Sequence, residues 1–137
     1  MPDDLIFKLK RQHIELKGIL SGIKTKIHSP QADGREIIAR LSKFKSALAR
    51  HLKLENETFY PAVLEKIKNR GLDTAETEKF IGEMKKLEKE VLDFIGTYKN
   101  PERIEKDGGV FVGEFDFIVS SLAIRISAEE DGVFLYW

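Results

Sequence analysis

The chain contains no cysteine, which excludes disulfides and thiolate metal sites. Neither charge is in excess. The 23 Lys and Arg balance 23 Asp and Glu, so no overall field draws the protein to nucleic acid or to an anionic membrane. No apolar run approaches the roughly 20 residues that a membrane-spanning helix needs. The opening Met1-Pro2-Asp3-Asp4 lacks the basic segment and apolar run of a signal peptide. These absences lead us to expect a cytoplasmic protein without nucleic-acid or membrane partners.

What is present is an ordinary globular balance, 42% hydrophobic and 34% charged over 137 residues. That length suffices for one self-contained core, and residues 1–137 read as a single domain. Four stretches carry apolar residues at alternating steps of three and four, the period of an amphipathic helix. The first row is Ile6, Leu9, His13, Leu16, Leu20, Ile23 and Ile27, with Asp3 or Asp4 as cap and Ser29-Pro30 as stop. The second opens on Asp33-Gly34-Arg35-Glu36, a cap with a glutamate three residues on. It continues to Pro61, where a kink or break is expected, and resumes until Arg70-Gly71.

The third stretch opens at Asp73 and carries Phe80, Met84, Leu87, Val91, Phe94 and Tyr98, ending at Asn100-Pro101. The fourth follows Asp107-Gly108-Gly109 with Phe111, Phe115, Ile118, Leu122, Arg125 and Glu129. Its first half is rich in Val and Phe, which favour strand, but the three-four row runs on for about five turns and predicts a helix. Four amphipathic segments joined by mostly short connections predict an all-α, up-down-up-down four-helix bundle.

The chemistry is concentrated in Leu48-Ala49-Arg50-His51-Leu52-Lys53-Leu54-Glu55, followed by Phe59-Tyr60-Pro61. His51 and Glu55 are four apart and share one helix face. It is the apolar face, in register with Leu48, Phe44, Leu41 and Ile37. A histidine and a carboxylate in a hydrophobic seam are costly unless they are paired, and in helical bundles a metal is one frequent partner. The inward rows hold five polar residues: His13, His51, Glu55, Arg125 and Glu129. Counting rise per residue from the connections puts His13 and His51 within about a turn of each other, and Met84 level with Arg125. Between the second and third rows the levels differ by roughly 7 Å, which the break at Pro61 could absorb. All five polar residues are expected to meet in one layer.

This pattern resembles the hemerythrin-like, histidine-histidine-glutamate cation-binding domains, and the resemblance covers nearly the whole chain. It rests on His13, on His51-x-x-x-Glu55 and on Phe59-Tyr60-Pro61. It implies a four-helix bundle with a non-haem di-iron centre. A ferritin-like site would want Glu-x-x-His pairs, and none of the three histidines has a glutamate three residues before it.

The departures from the family pattern shape the functional expectation. Third-helix ligand positions read Phe80 and Met84, and Arg125-x-x-x-Glu129 stands where the family carries a histidine and a carboxylate. His13, His51, Glu55 and Glu129 remain as a vestigial or weak metal set. Arginine keeps its proton and cannot ligate a cation, whereas its guanidinium suits facing carboxylates. Arg125 is therefore expected to plug the site, held by Glu55 and Glu129 in place of metal. The function expected on this reading is a non-catalytic regulatory or interaction module without a cofactor, acting through a protein partner or a second copy of itself. The alternative is a reduced, mononuclear iron or zinc site that handles iron or senses oxygen or nitric oxide; a dinuclear iron enzyme lacks ligands.

Each residue also has a plainer role. His13 and His51 could be satisfied core histidines, Met84 a gap-filling core residue and Phe80 core. His28, beside Lys24 and Lys26 at a helix end, reads as surface. Lys85, Lys86, Glu88, Lys89 and Glu90 read as a solvated helix face. The closing Phe134-Leu135-Tyr136-Trp137 fits either a cap on the bundle or a dimer contact.

Overall fold

The computed structural model describes residues 3–29 and 33–137. Helix α1 spans Asp3–Ile27, α2 Gly34–Leu54, α3 Tyr60–Asn69, α4 Ala75–Thr97, α5 Pro101–Lys106 and α6 Gly108–Asp131. No strand occurs among the described residues. The Val- and Phe-rich start of the fourth segment is helical, because Phe111, Phe115 and Ile118 bury one face of α6 in the core. α1 packs on α2 and α6, while α4 packs on α2 and α6, giving the four rods of a helical bundle. The expected stop at Pro30, and a cap from the Asp3 side chain, lie outside the described residues.

Pro61 does not break its rod. Residues Glu55–Phe59 form one π turn, and α3 starts immediately with Pro61 in its first turn. There the missing N–H costs little. α2 and α3 thus form a single rod whose register shifts at Glu55. The N-terminus of α2 is capped by Asp33, whose Oδ1 accepts from Arg35 N at 2.9 Å. Glu36 does not complete a capping box; it pairs with Lys26 at 2.9 Å and Arg40 at 3.2 Å. Gly34 is fixed by close approach, since a Cβ there would stand 2.5 Å from the Pro101 carbonyl oxygen.

Asn100-Pro101 ends α4 and also begins α5. The Asn100 Oδ1 accepts from Glu102 N at 2.9 Å, and Pro101 occupies the first turn. This short helix was not anticipated, although Asn followed by Pro is a helix-start signal.

The buried apolar residues fall into two clusters. The larger contains Leu16, Leu20, Ile23, Phe44, Leu48, Val91, Phe94, Phe111, Phe115 and Leu122. The smaller, towards the other end, contains Leu9, Phe59, Tyr60, Val63, Ile67, Val133 and Phe134. On α1 the interval between the clusters holds His13. On the second rod it holds Glu55, and on the fourth Glu129, both with their side chains fully buried. The fourth wall is apolar: α4 passes from Ile81 in one cluster to Leu87 in the other, with buried Met84 between them.

Candidate metal centre

Three rods therefore deliver polar side chains into one layer. His13, His51, Glu55 and Glu129 are all buried and each offers a ligand atom within 4.8 Å of the others. His13 Nε2 lies 3.1 Å from Glu129 Oε1, and His51 Nε2 lies 3.0 Å from Glu55 Oε1. The two imidazoles meet edge to face at 4.7 Å between centroids.

The outer nitrogen of each ring is held from behind. His51 Nδ1 bonds Gln12 Oε1 at 2.8 Å, and His13 Nδ1 bonds Glu130 Oε2 at 2.6 Å. The Gln12 carbonyl and the Glu130 carboxylate accept, so each Nδ1 carries a proton and each Nε2 is the nitrogen turned to the centre, His13 towards Glu129 and His51 towards Glu55. That is how metal-binding histidines are usually oriented. Burial, followed by the nearby His13, lowers the His51 pKa to about 4. Its ring is thus neutral near neutral pH, the form that donates to a metal.

The carboxylates divide into a satisfied and an unsatisfied one. Glu129 accepts a 2.6 Å bond from Tyr60 Oη. Burial opposes its ionisation, but the hydrogen bonds from His13 and Tyr60 prevail and lower its pKa. Neither oxygen of Glu55 has a hydrogen-bond partner, although both are buried. Burial raises its pKa strongly, and the neighbouring Glu129 raises it further. The lone pair of His51 faces a carboxyl oxygen at 3.0 Å with no hydrogen bond between them. Two acceptors at that distance need a positive centre between them: a proton or a cation. A two-nitrogen, two-carboxylate set suits iron or zinc, so the residues present fit a metal ion.

Arg125 is not part of this centre. It pairs with Glu83 on α4, its side chain is 31% exposed, and its guanidinium lies over the Phe80 ring at 5.9 Å. The expected network of Arg125 with Glu55 and Glu129 is therefore replaced by a site without a guanidinium. The reason is helical register: after Leu122 the inward row steps to Ile126 and then Glu129, so Arg125 turns outward by about 100°. Phe80 is half-buried beneath that arginine, while Met84 is core. His28 is exposed, as are Lys85, Lys86, Lys89 and Glu90, with Glu88 half-buried.

Tyr60, Gln12, Glu130 and Phe134 belong to the site and were not foreseen in these roles. Phe134 stacks on His13 at 5.7 Å with the rings 2° from parallel, and meets Phe59 edge-on at 5.2 Å. The closing Val133–Tyr136 turn thus caps the bundle over the centre. Its signal was the aromatic density of the last residues; for Gln12 and Glu130 the only signal is their position next to His13 and Glu129.

No curated protein and no solved structure matches the chain significantly. The Hemerythrin HHE cation binding domain matches residues 4–136, the whole interval that carries the four rods and the buried polar layer, and the chain belongs to that family.

Proposed function

We propose that the protein binds a single metal ion, iron or zinc, through His13, His51, Glu55 and Glu129, and serves as a binding module rather than an enzyme. The observation that carries this reading is Glu55, a fully buried carboxyl group with no hydrogen bond to either oxygen. Such a group costs stability in the metal-free fold, and a cation removes that cost. The outward turn of Arg125 supports the same reading, because a fixed positive charge in the layer would oppose a bound cation. α4 contributes Met84 where further imidazole ligands would be needed for two ions, which favours one.

The chain's own residues prepare the site. Gln12 and Glu130 fix the imidazole tautomers, Tyr60 holds Glu129 ionised, and Phe134 with Phe59 keeps bulk water from the ring edges. Iron held there would supply reversible capture of a small diatomic such as oxygen or nitric oxide, whereas zinc would supply only a fixed charge. The covered centre suits small ligands and not a bulky substrate, in keeping with sensing or iron handling. A cytoplasmic setting belongs to the same reading. Among the described residues no helix is long and apolar enough to cross a membrane.

The test is metal content by mass spectrometry on protein purified without chelators or added metal, followed by titration of the stripped protein with ferrous iron and zinc. About one ion per chain, lost in His51→Ala and in Glu55→Ala, is expected. Folded protein that takes up no metal would overturn the proposal and leave a metal-free bundle with a proton on Glu55. About two ions per chain would replace it with a dinuclear centre.

A further inference from the structure

α6 differs from α4 in its outer face. On α4 the exposed positions include Lys79, Lys85, Lys86, Lys89 and Glu90. On α6 they include Val110, Gly113, Phe117, Ser120, Ala123, Ile124 and Ser127, and only Glu114 and Asp131 among the exposed positions are charged. Val110, Phe117 and Ile124 are 59%, 63% and 67% exposed. A helix that is apolar all round is ordinarily covered all round, and here only one side is covered by the bundle.

The exposed residues form a heptad seam. Val110, Phe117 and Ile124 repeat at seven, and Gly113, Ser120 and Ser127 repeat at seven in the alternate position. All the large residues occupy one position and all the small ones the other. We propose that this seam pairs with the same seam of a second copy, antiparallel, about a twofold axis between residues 118 and 119.

The occupant follows from self-complementarity. In an antiparallel pair each large position meets the small position of the other helix. Val110 then faces Ser127, Phe117 faces Ser120 and Ile124 faces Gly113, so every layer joins a knob to a hole. A parallel pair would stack Phe117 on Phe117 and Gly113 on Gly113, leaving layers alternately too wide and too empty. The flanks agree as well: Asp116 comes opposite Ala123, and Glu114 opposite Ser121, so no carboxylate meets another across the axis. Gly113 also floors a groove of about 510 Å³ with Glu90, Phe94, Thr97 and Phe117, which receives Ile124 of the second copy.

The size is adequate. The seam from Val110 to Ser127 is about 26 Å long. Its three large side chains alone expose on the order of 350 Å² per copy. Pairing removes about twice that before the small residues and the α4 flank are added, which approaches the ~1,000 Å² of a specific interface.

Sedimentation of the full chain from micromolar to millimolar concentration should show a monomer–dimer equilibrium. Phe117→Lys with Ile124→Lys should weaken it by roughly a hundredfold or more with helicity unchanged. Gly113→Phe guards against a folding artefact, since a Cβ there meets nothing within 4 Å in the single copy, yet the ring fills the hole that Ile124 needs. It should abolish pairing too. The absence of native cysteine allows a clean spin label at Asp131→Cys. Antiparallel pairing puts the two labels about 40 Å apart, whereas parallel pairing keeps them within roughly 15 Å. A monomer at every concentration, a short label distance, or a dimer untouched by either seam variant would overturn the proposal.

Discussion

Tyr60 Oη donates a 2.6 Å hydrogen bond to Glu129 Oε2, and both side chains are buried. The π turn makes this contact possible. Five residues along an α-helix would swing Tyr60 about 140° away from the face that carries Glu55. The i to i+5 closure, Tyr60 N–H to the Glu55 carbonyl, brings both onto the same side. π turns of this kind are frequently found at functional sites, and this one begins on the unsatisfied carboxyl.

Tyr60→Phe is therefore expected to destabilise the metal-free protein by about 2 kcal/mol, because it leaves a buried, ionised carboxylate one donor short. It should also weaken metal binding by roughly 10- to 100-fold through loss of orientation. Burial, followed by Glu55 and Glu129, keeps the phenol protonated throughout the accessible pH range, so the effect should not depend on tyrosine ionisation. Urea unfolding with and without metal separates the two contributions. Unchanged values in both would show that this hydrogen bond does not hold Glu129.

Arg125→Met should cost no more than about 1 kcal/mol, as befits a partly exposed pair. Arg125 and its partner Glu83 have side chains 31% and 37% exposed. A loss beyond about 3 kcal/mol in thermal or urea unfolding would instead mean that the arginine compensates buried carboxylates.

The same residue shows how far the sequence could be read. Rows of three and four located the long helices, His13, His51, Glu55 and Glu129, because a ligand one turn from a buried leucine shares its face. After Leu122, however, both Arg125 and Ile126 continue a three-four row, and periodicity alone cannot choose. Packing chose Ile126, which has no charge to desolvate. Pro61 was only partly informative: proline predicts a kink or break, and the chain answers with a π turn just before it and no interruption of the rod. Gln12 and Glu130 were illegible because their role comes from reaching another rod, and no local pattern encodes that reach.

The pH dependence of the metal-free fold should fall off on both sides. Glu55 has a raised pKa, so the folded state keeps a proton that the unfolded chain releases above about pH 4.5. Folding then binds more protons, and stability declines as pH rises, by up to about 1.4 kcal/mol per unit. His51, lowered to about 4, works in reverse: the unfolded ring protonates below roughly pH 6.5, so stability also drops from there towards pH 4. Glu129, also lowered, adds to the acid-side loss. The two slopes nearly cancel between about pH 4.5 and 6.5, so a broad maximum is expected there in urea unfolding of stripped protein, with losses on either side. Metal affinity should increase about tenfold per pH unit as the Glu55 proton is displaced. A stability that keeps rising from pH 7 to 9 without metal would contradict the protonated Glu55.

Glu55→Met gives the sharpest separation between fold and function. If the carboxyl is retained for a cation, replacing it with an apolar side chain of similar length should remove a buried, unsatisfied group and stabilise the metal-free protein by about 1–3 kcal/mol at neutral pH. The same variant should lose metal uptake, since one of the two carboxylates facing the imidazoles is gone. A gain in one property with loss of the other is the signature of a residue kept against stability. If Glu55→Met instead destabilises the metal-free chain, the carboxyl is holding the bundle together, and its missing hydrogen bonds must be supplied by a bound water shared with His51.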